Sequence, residues 1–435
     1  MKYGRKASFS GLMAVMLLSN TLAVDHYVSL AGTNDFANKF TTWAGAATEI
    51  QWAVNIAANG ETVWVSNGTY YLTNQVSITN GIILKSFSGR WTDTIVEGNY
   101  PNSTNRCLYM NHSNALVEGF AFTNGMAPFI AATTNSENGG GVYINAGMLR
   151  GCLVTGNRVT NIGYGAGIYA TGAKSIITNC QIVKNELYGL QWAGAPRSGG
   201  GAYLQSSAQM WNCLILSNYT ILGGGAGAGI VLATGSLLCN SIIASNTTVP
   251  SYNSNNGGGV LLNNGGTVRN CLIMGNRAWT GGGVGAANTA NYIENCTIAG
   301  NYSGYAGGGI YAAYSGGYTG KEVQVNNTII YSNNTHVGMA YPGNAIFSNC
   351  CINATNNIYI FYPNNNITSN PAFKNYSGGD YRLSRESPCL NSGMLLSWSL
   401  FSTDLDGGSR IDKFSGKIDM GCYESHPRGL MYKVR

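Results

Sequence analysis

Gly139-Gly140-Gly141-Val142-Tyr143 runs on to Gly151-Cys152-Leu153-Val154 and Asn157, and this phrase decides the fold because the chain repeats it. Gly199-Gly200-Gly201-Ala202-Tyr203 leads to Asn212-Cys213-Leu214-Ile215 and Asn218, and Gly281-Gly282-Gly283-Val284 leads to Asn295-Cys296-Thr297-Ile298 and Asn301. Aligned on the cysteine, the column reads Cys152, Cys180, Cys213, Ser241, Cys271, Cys296 and Thr328, at steps of 28, 33, 28, 30, 25 and 32 residues. Three residues earlier the chain is apolar at Leu149, Ile177, Met210, Leu238, Val268, Ile293 and Val325. Two residues later it is β-branched, and five residues later it is Asn, at 157, 185, 218, 246, 276, 301 and 333. An internal period of this length is the signature of stacked repeats. A divergent copy, Val117-Glu118-Gly119-Phe120-Ala121-Phe122, starts the array before Gly139.

Helical repeats are excluded by the local pattern, which offers short alternating runs between Gly and Asn and no ten-residue stretch with a 3.6 period. Alternation along short strands, repeated once per turn, describes an all-β chain wound as a single right-handed parallel β-helix with three strands per coil. The reading of one coil is Val142–Ile144, a turn, Met148–Arg150, a one-residue turn at Gly151, Cys152–Val154, and then a longer loop.

Two columns read as structural. Asn179, Asn212, Asn240, Asn270, Asn295 and Asn327 stand just before the cysteine position, at a tight turn. Asn tolerates left-handed backbone there, and its amides are expected to stack from coil to coil. Cys152, Cys180, Cys213, Cys271 and Cys296 read as a buried ladder of free thiols, with Cys serving as a small hydrophobe. Of the eleven cysteines, Cys350, Cys351, Cys389 and Cys422 fall outside that ladder, and one bridge among them is expected in an oxidising compartment.

The first residues give an address. A basic stretch (Met1 to Lys6), an apolar run (Gly11 to Leu18) and the small residue Ala23 make a secretory signal over 1–23, so the mature protein is expected to be secreted or displayed at a bacterial surface, with no membrane span left after cleavage. The formal charge of +6 includes Lys2, Arg5 and Lys6; without them 21 basic residues face 18 acidic ones, or +3. Only 10% of residues are charged, which argues against nucleic acid or anionic membrane as a partner.

Open ends of a β-helix need covering. Over 24–61, the run Ala46 to Ala57 puts Ile50, Ala53, Val54 and Ala57 on one helical face, as a cap for the first coil; Thr62-Val63-Trp64-Val65 then begins the helix proper, 62–334. Beyond it, 335–435 reads as an irregular C-terminal cap.

The Gly-Gly-Gly-[Val/Ile]-Tyr and x-Ile-x-x-Asn phrases resemble secreted bacterial right-handed parallel β-helix proteins of the pectin-lyase-like superfamily. They are also similar to the repeats of chlamydial polymorphic outer-membrane adhesins, with Cys where those have Phe. Asp380 to Glu424 resembles the choice-of-anchor Q domain of bacterial surface proteins, and the opening from Tyr27 to Tyr70 fits that group. The resemblance implies a fold; its members include lyases, hydrolases, epimerases and adhesins.

Hydrolysis or elimination on such a scaffold calls for convergent carboxylates, or for carboxylate-held Ca²⁺ with a cationic base. This chain has no Asp between Asp93 and Asp380, and from 139 to 334 its only acids are Glu186, Glu294 and Glu322. His26, His112, His336 and His426 share no metal-like spacing. No catalytic residue and no cofactor is therefore assigned; Asp404 and Asp406 of Asp404-x-Asp406-Gly407 are the one calcium candidate, set against a role with Arg410 in fixing the terminal cap. Aromatic residues recur on the corner after the Asn column. Tyr188, Trp192, Arg197, Tyr219, Tyr252, Trp279 and Tyr302 are the glycan-binding candidates, with Glu186 as a possible partner of Arg197; the competing reading is that these rings pack between coils. Three functions stay open: non-catalytic binding of a polysaccharide or cell-surface glycan, polysaccharide lysis in the same groove, and an adhesin stalk with no groove.

Overall fold

The computed structural model describes residues 23–127, 137–160, 163–188, 198–221, 227–249, 257–287, 291–313, 323–339, 345–353 and 361–425. The chain winds as a right-handed parallel β-helix whose strands form sheets of 21, 11 and six members. One coil shows the plan. Ile168–Thr171 and Ser175–Thr178 lie in the first sheet, Gln181–Val183 in the second and Glu186–Tyr188 in the third, each in parallel register with the next coil's Ala202–Gln205, Gln209–Trp211, Leu214–Leu216 and Tyr219–Ile221.

The strands fall differently from the sequence reading. The first two runs share one sheet and merge into a single strand at Val142–Arg150. The third face is built where a long loop was expected. Its strands start directly after the Asn column, because Gly156, Lys184, Ser217, Ser245, Gly275 and Gly300 turn the chain in left-handed backbone one residue before each Asn. Its inward positions are Val159, Leu187, Thr220, Thr248, Ala278 and Ser303, all buried. Four of these six are polar or small, so the period-two signal is weak.

The core is the lumen of the rod. The apolar columns through Leu149 and Val154 are fully buried in every coil to Val325 and Ile330. At the cysteine column thiols and hydroxyls accept backbone N–H groups of the preceding coil: Cys152 N donates to Cys180 Sγ (3.5 Å), Cys180 N to Cys213 Sγ (3.4 Å), Cys213 N to Ser241 Oγ (3.0 Å) and Cys296 N to Thr328 Oγ1 (3.3 Å). Ser and Thr replace Cys because the position requires a small acceptor. All eleven thiols are buried and free, so the expected bridge is not formed. Cys350 also belongs to the ladder, accepting from Thr328 N at 3.5 Å, while Cys351 and Cys389 share a small apolar cluster as thiols.

The six Asn before the cysteine column adopt the expected left-handed backbone, with φ of 48–55°. The continuous amide ladder, however, runs through the other Asn column. From Asn157 to Asn333 each Nδ2 donates to the next coil's Oδ1 at 2.9–3.0 Å, and all seven side chains are buried. In the turn column only Asn270 reaches Asn240 (2.7 Å) and Asn327 reaches Asn295 (3.1 Å).

At the start, Asp25–Val28 pairs with Thr62–Val65, so the sheet begins one strand earlier than the sequence suggested. Helix Ile50–Ile56 buries Ile50, Ala53 and Val54 at that end. At the other end the C-terminal segment is irregular, as expected, and it also covers a flank. After Ile367 bridges to Cys351, residues 371–425 run back along the flank over the second sheet. Ile242, Leu272 and Met274 face outward there and pack against Tyr381, Leu405, Cys422 and Tyr423. The turn-column amides hold the strap: Asn270 Nδ2 donates to Thr403 O (2.8 Å), Asn327 Nδ2 to Met394 O (2.8 Å), Asn295 Nδ2 to Asp419 O (3.3 Å) and Asn349 Nδ2 to Ser392 O (2.9 Å). Apolar residues on both faces of the second-sheet strands demanded a cover, and the tail supplies it.

Candidate functional site

The outer face of the third sheet gathers most of the described aromatic candidates. Strand registration sets Arg158, Glu186, Tyr219, Thr247, Arg277 and Tyr302 in one outward column, five strand spacings or about 24 Å long. Tyr188 stands two residues along its strand from Glu186, and Trp279 two residues from Arg277. Alternation fixes these side chains outward, since Leu187, Thr220 and Ala278 between them are buried.

The column has two ends of different character. At one end Arg158 approaches Glu186 at 2.8 Å, outside hydrogen-bonding geometry, and its guanidinium lies 5.6 Å from the Tyr100 ring and 5.8 Å from the Tyr188 ring. Glu186 is thus the partner of Arg158. At the other end Arg277 sits 4.8 Å over the Tyr302 ring, and Trp279 stacks on Tyr305 at 5.9 Å and 14°. Among the described residues Arg277 has no carboxylate partner. Tyr302 and Tyr305 are 46% and 69% exposed, so rings are presented to solvent at this end. Trp192, Arg197 and Tyr252 lie outside the described residues, as do Glu322 and positions 1–22 of the signal.

A second aromatic row lies on the first sheet. On the outer face of the first sheet Tyr109, Tyr143, Tyr169 and Tyr203 follow one another at ring separations of 5.4, 4.8 and 5.8 Å. Tyr169 is buried, and burial beside Tyr164 pushes the Tyr203 phenol up to about 12. These rings pack between coils. Burial likewise draws Arg106, over the Tyr143 ring at 5.2 Å, down to about 10; its donors are spent on Asn138 O, Gly139 O and Gln75 Oε1. The signal for Arg158 and Arg277 was available in the register of the Asn column, had the following residues been read as a strand.

The carboxylates do not converge. Glu118 is clasped by Arg150 (2.8 Å) and Lys85 (3.2 Å), and the Arg150 hydrogen bonds hold its carboxyl below the usual range. Glu294 pairs with Arg269 at 2.8 Å. Asp404, the calcium candidate, accepts the backbone N–H groups of Asp406, Gly408 and Glu424, and Asp406 is held by Arg382 at 2.6 and 2.7 Å. Arg410 pairs with Glu424 (3.1 Å), not with either of these aspartates. Among the described residues no group of three or more His, Cys, Asp or Glu is placed to hold a metal ion, and no helix is long and apolar enough to cross a membrane.

Known proteins agree on the architecture. Residues 80–276 match the family described as right handed beta helix region. The crystal structure of pectate lyase Pel9A aligns over 93% of this chain and 98% of its own, at 15% identity and a TM-score of 0.54. XylC in complex with xylose aligns over 93% and 99% at 9% identity and 0.43, and a rhamnogalacturonan lyase over 93% and 97% at 11% and 0.35. Only the first of these three likenesses is strong enough to argue from, and it carries the fold. No curated protein matches the chain.

Proposed function

We propose that this β-helix binds an extended extracellular glycan along the outer face of its third sheet, without cleaving it. The observation that carries the reading is the pair of solvent-facing stacks, Trp279 on Tyr305 and Arg277 on Tyr302, between consecutive coils of the third sheet. Pyranose faces are apolar and pack on such rings, while the Arg277 guanidinium, without a carboxylate partner among the described residues, offers paired N–H donors to a uronate or to hydroxyls. The scattered, ion-paired carboxylates support binding over bond cleavage. A pectate lyase shares the fold, which makes acidic plant-type polysaccharide a reasonable first ligand to test.

The test is retention of the mature protein on immobilised polygalacturonate, alginate and xylan, with absorbance at 235 nm followed for unsaturated uronate. Retention without product, lost in Tyr302→Ala and Trp279→Ala, supports the proposal. Product formation overturns the non-catalytic reading, and no retention on any polymer overturns the glycan.

A further inference from the structure

A hollow of about 440 Å³ opens at the N-terminal end, between helix Ile50–Ile56 and the strand Gly68–Tyr71. That volume lies within the roughly 300–1,000 Å³ of small-molecule sites. Trp52, Tyr71 and Leu30 give it apolar surface; Glu49, Asn55 and Asn74 give it polar groups. The Trp52 ring lies 5.5 Å from that of Phe36 and packs on the core, while Tyr71 is 69% exposed on a strand anchored by buried Tyr70 and Leu72. Gln51 ties the helix to the next strand by accepting Ser77 N at 2.6 Å and donating to Asn55 Oδ1 at 2.6 Å. That bond occupies the Asn55 oxygen and leaves the amide N–H groups for a ligand.

The charge of the lining selects the ligand. Among the described residues no Lys or Arg borders the hollow, and the exposed Glu49 is its one charged side chain. A carboxylate accepts two adjacent hydroxyls and repels a uronate, while the two rings suit a pyranose face. We propose that the hollow is a second saccharide site, selective for a neutral sugar. It goes beyond the face reading and is distinguishable from it, because the hollow lies eight strand spacings along the second sheet, roughly 40 Å, from the coil of Tyr302, and three spacings from the coil of Arg158.

Isothermal titration calorimetry of the mature protein with cellotetraose, mannotetraose, xylotetraose and tetragalacturonate tests this. At least one neutral tetrasaccharide is expected to bind. Tyr71→Ala should weaken that binding at least tenfold, and Glu49→Gln should weaken it while letting tetragalacturonate in. Tyr302→Ala should leave it unchanged. The proposal is overturned if no neutral tetrasaccharide binds, or if Tyr71→Ala and Glu49→Gln bind as well as the parent. If Tyr302→Ala alone abolishes all binding, the hollow fails and the face reading survives. Both substitutions lie on exposed side chains, and an unchanged thermal melt establishes that each variant is folded.

Discussion

Asn246 sits in the middle of the buried amide ladder, and its replacement by Ala measures what the ladder contributes. The Oδ1 atom accepts from Asn218 N (2.9 Å) and Asn218 Nδ2 (3.0 Å), and Nδ2 donates to Ile215 O (2.8 Å) and Asn276 Oδ1 (2.9 Å). All four bonds vanish in Asn246→Ala. Asn218 Nδ2 keeps Ile182 O, and Asn276 Oδ1 keeps the backbone N–H of residue 246, but the buried N–H of Asn218 is left without an acceptor. One orphaned buried donor costs about 2 kcal/mol and the other losses add roughly 1–2, for a total near ~3–4 kcal/mol. Asn179→Ala is the contrast. That side chain is exposed and its φ is 54°, so only left-handed backbone strain enters, about 1 kcal/mol. Urea unfolding followed by circular dichroism gives both numbers, and hydrogen exchange at residues 213–221 and 241–248 locates the damage. The reasoning is refuted if Asn246→Ala costs no more than Asn179→Ala.

Cys213→Ser should cost under about 1 kcal/mol by the same urea assay, because Ser241 already fills the equivalent position as an acceptor, whereas Cys213→Leu should overpack the lumen by roughly 1–3 kcal/mol. Gly201→Ala should prevent soluble expression, since its Cβ would stand 2.4 Å from Gly229 O and 2.8 Å from the Asn218 amide; a folded, soluble variant would contradict the packing. Docking of the strap should weaken with rising pH. Burial, with Asp419 and Asp404 nearby and against the pull of Arg410, pushes the Glu424 carboxyl up to about 8 from 4.5. The folded state therefore holds a proton that the unfolded state gives up, so stability declines from about pH 5 to pH 8 and levels off above. Proteolysis of the 371–425 segment at pH 6 and pH 9 reads this directly, and Glu424→Gln should flatten the difference.

The repeat, the lumen and the thiol ladder were legible because each is a column of one residue type at a fixed offset, such as Val154 through Ile330. The third sheet was not, since Thr220, Thr248 and Ser303 occupy inward positions that read as loop. Which Asn column would be buried could not be told from spacing either. Both columns repeat once per coil, and only the packing of Asn157 to Asn333 against the Gly triplets separates them. At Gly141, for example, a Cβ would stand 2.7 Å from the Asn157 amide. The return of the tail was hinted at by Ile242, Leu272 and Ile329 on the outward side, a clue overlooked because a terminal segment was read as an end cap. Of the residues on the third-sheet face, Tyr188, Tyr219, Trp279 and Tyr302 were singled out in the sequence, and Arg158 and Arg277 beside them were not.

The strap changes how the rod comes apart. Elsewhere each coil touches only its neighbours, through ladder bonds such as the one spanning 28 residues between Asn157 and Asn185. Asn240 reaches Thr403 across 163 residues, and its row of turn amides binds five successive coils to one strip of chain. Those coils must unfold as one cooperative block, whereas the coils from Asn157 to Asn218 are free to open singly from the N-terminal side. Under tension along its axis, such a rod would yield first near its beginning and keep its far half intact.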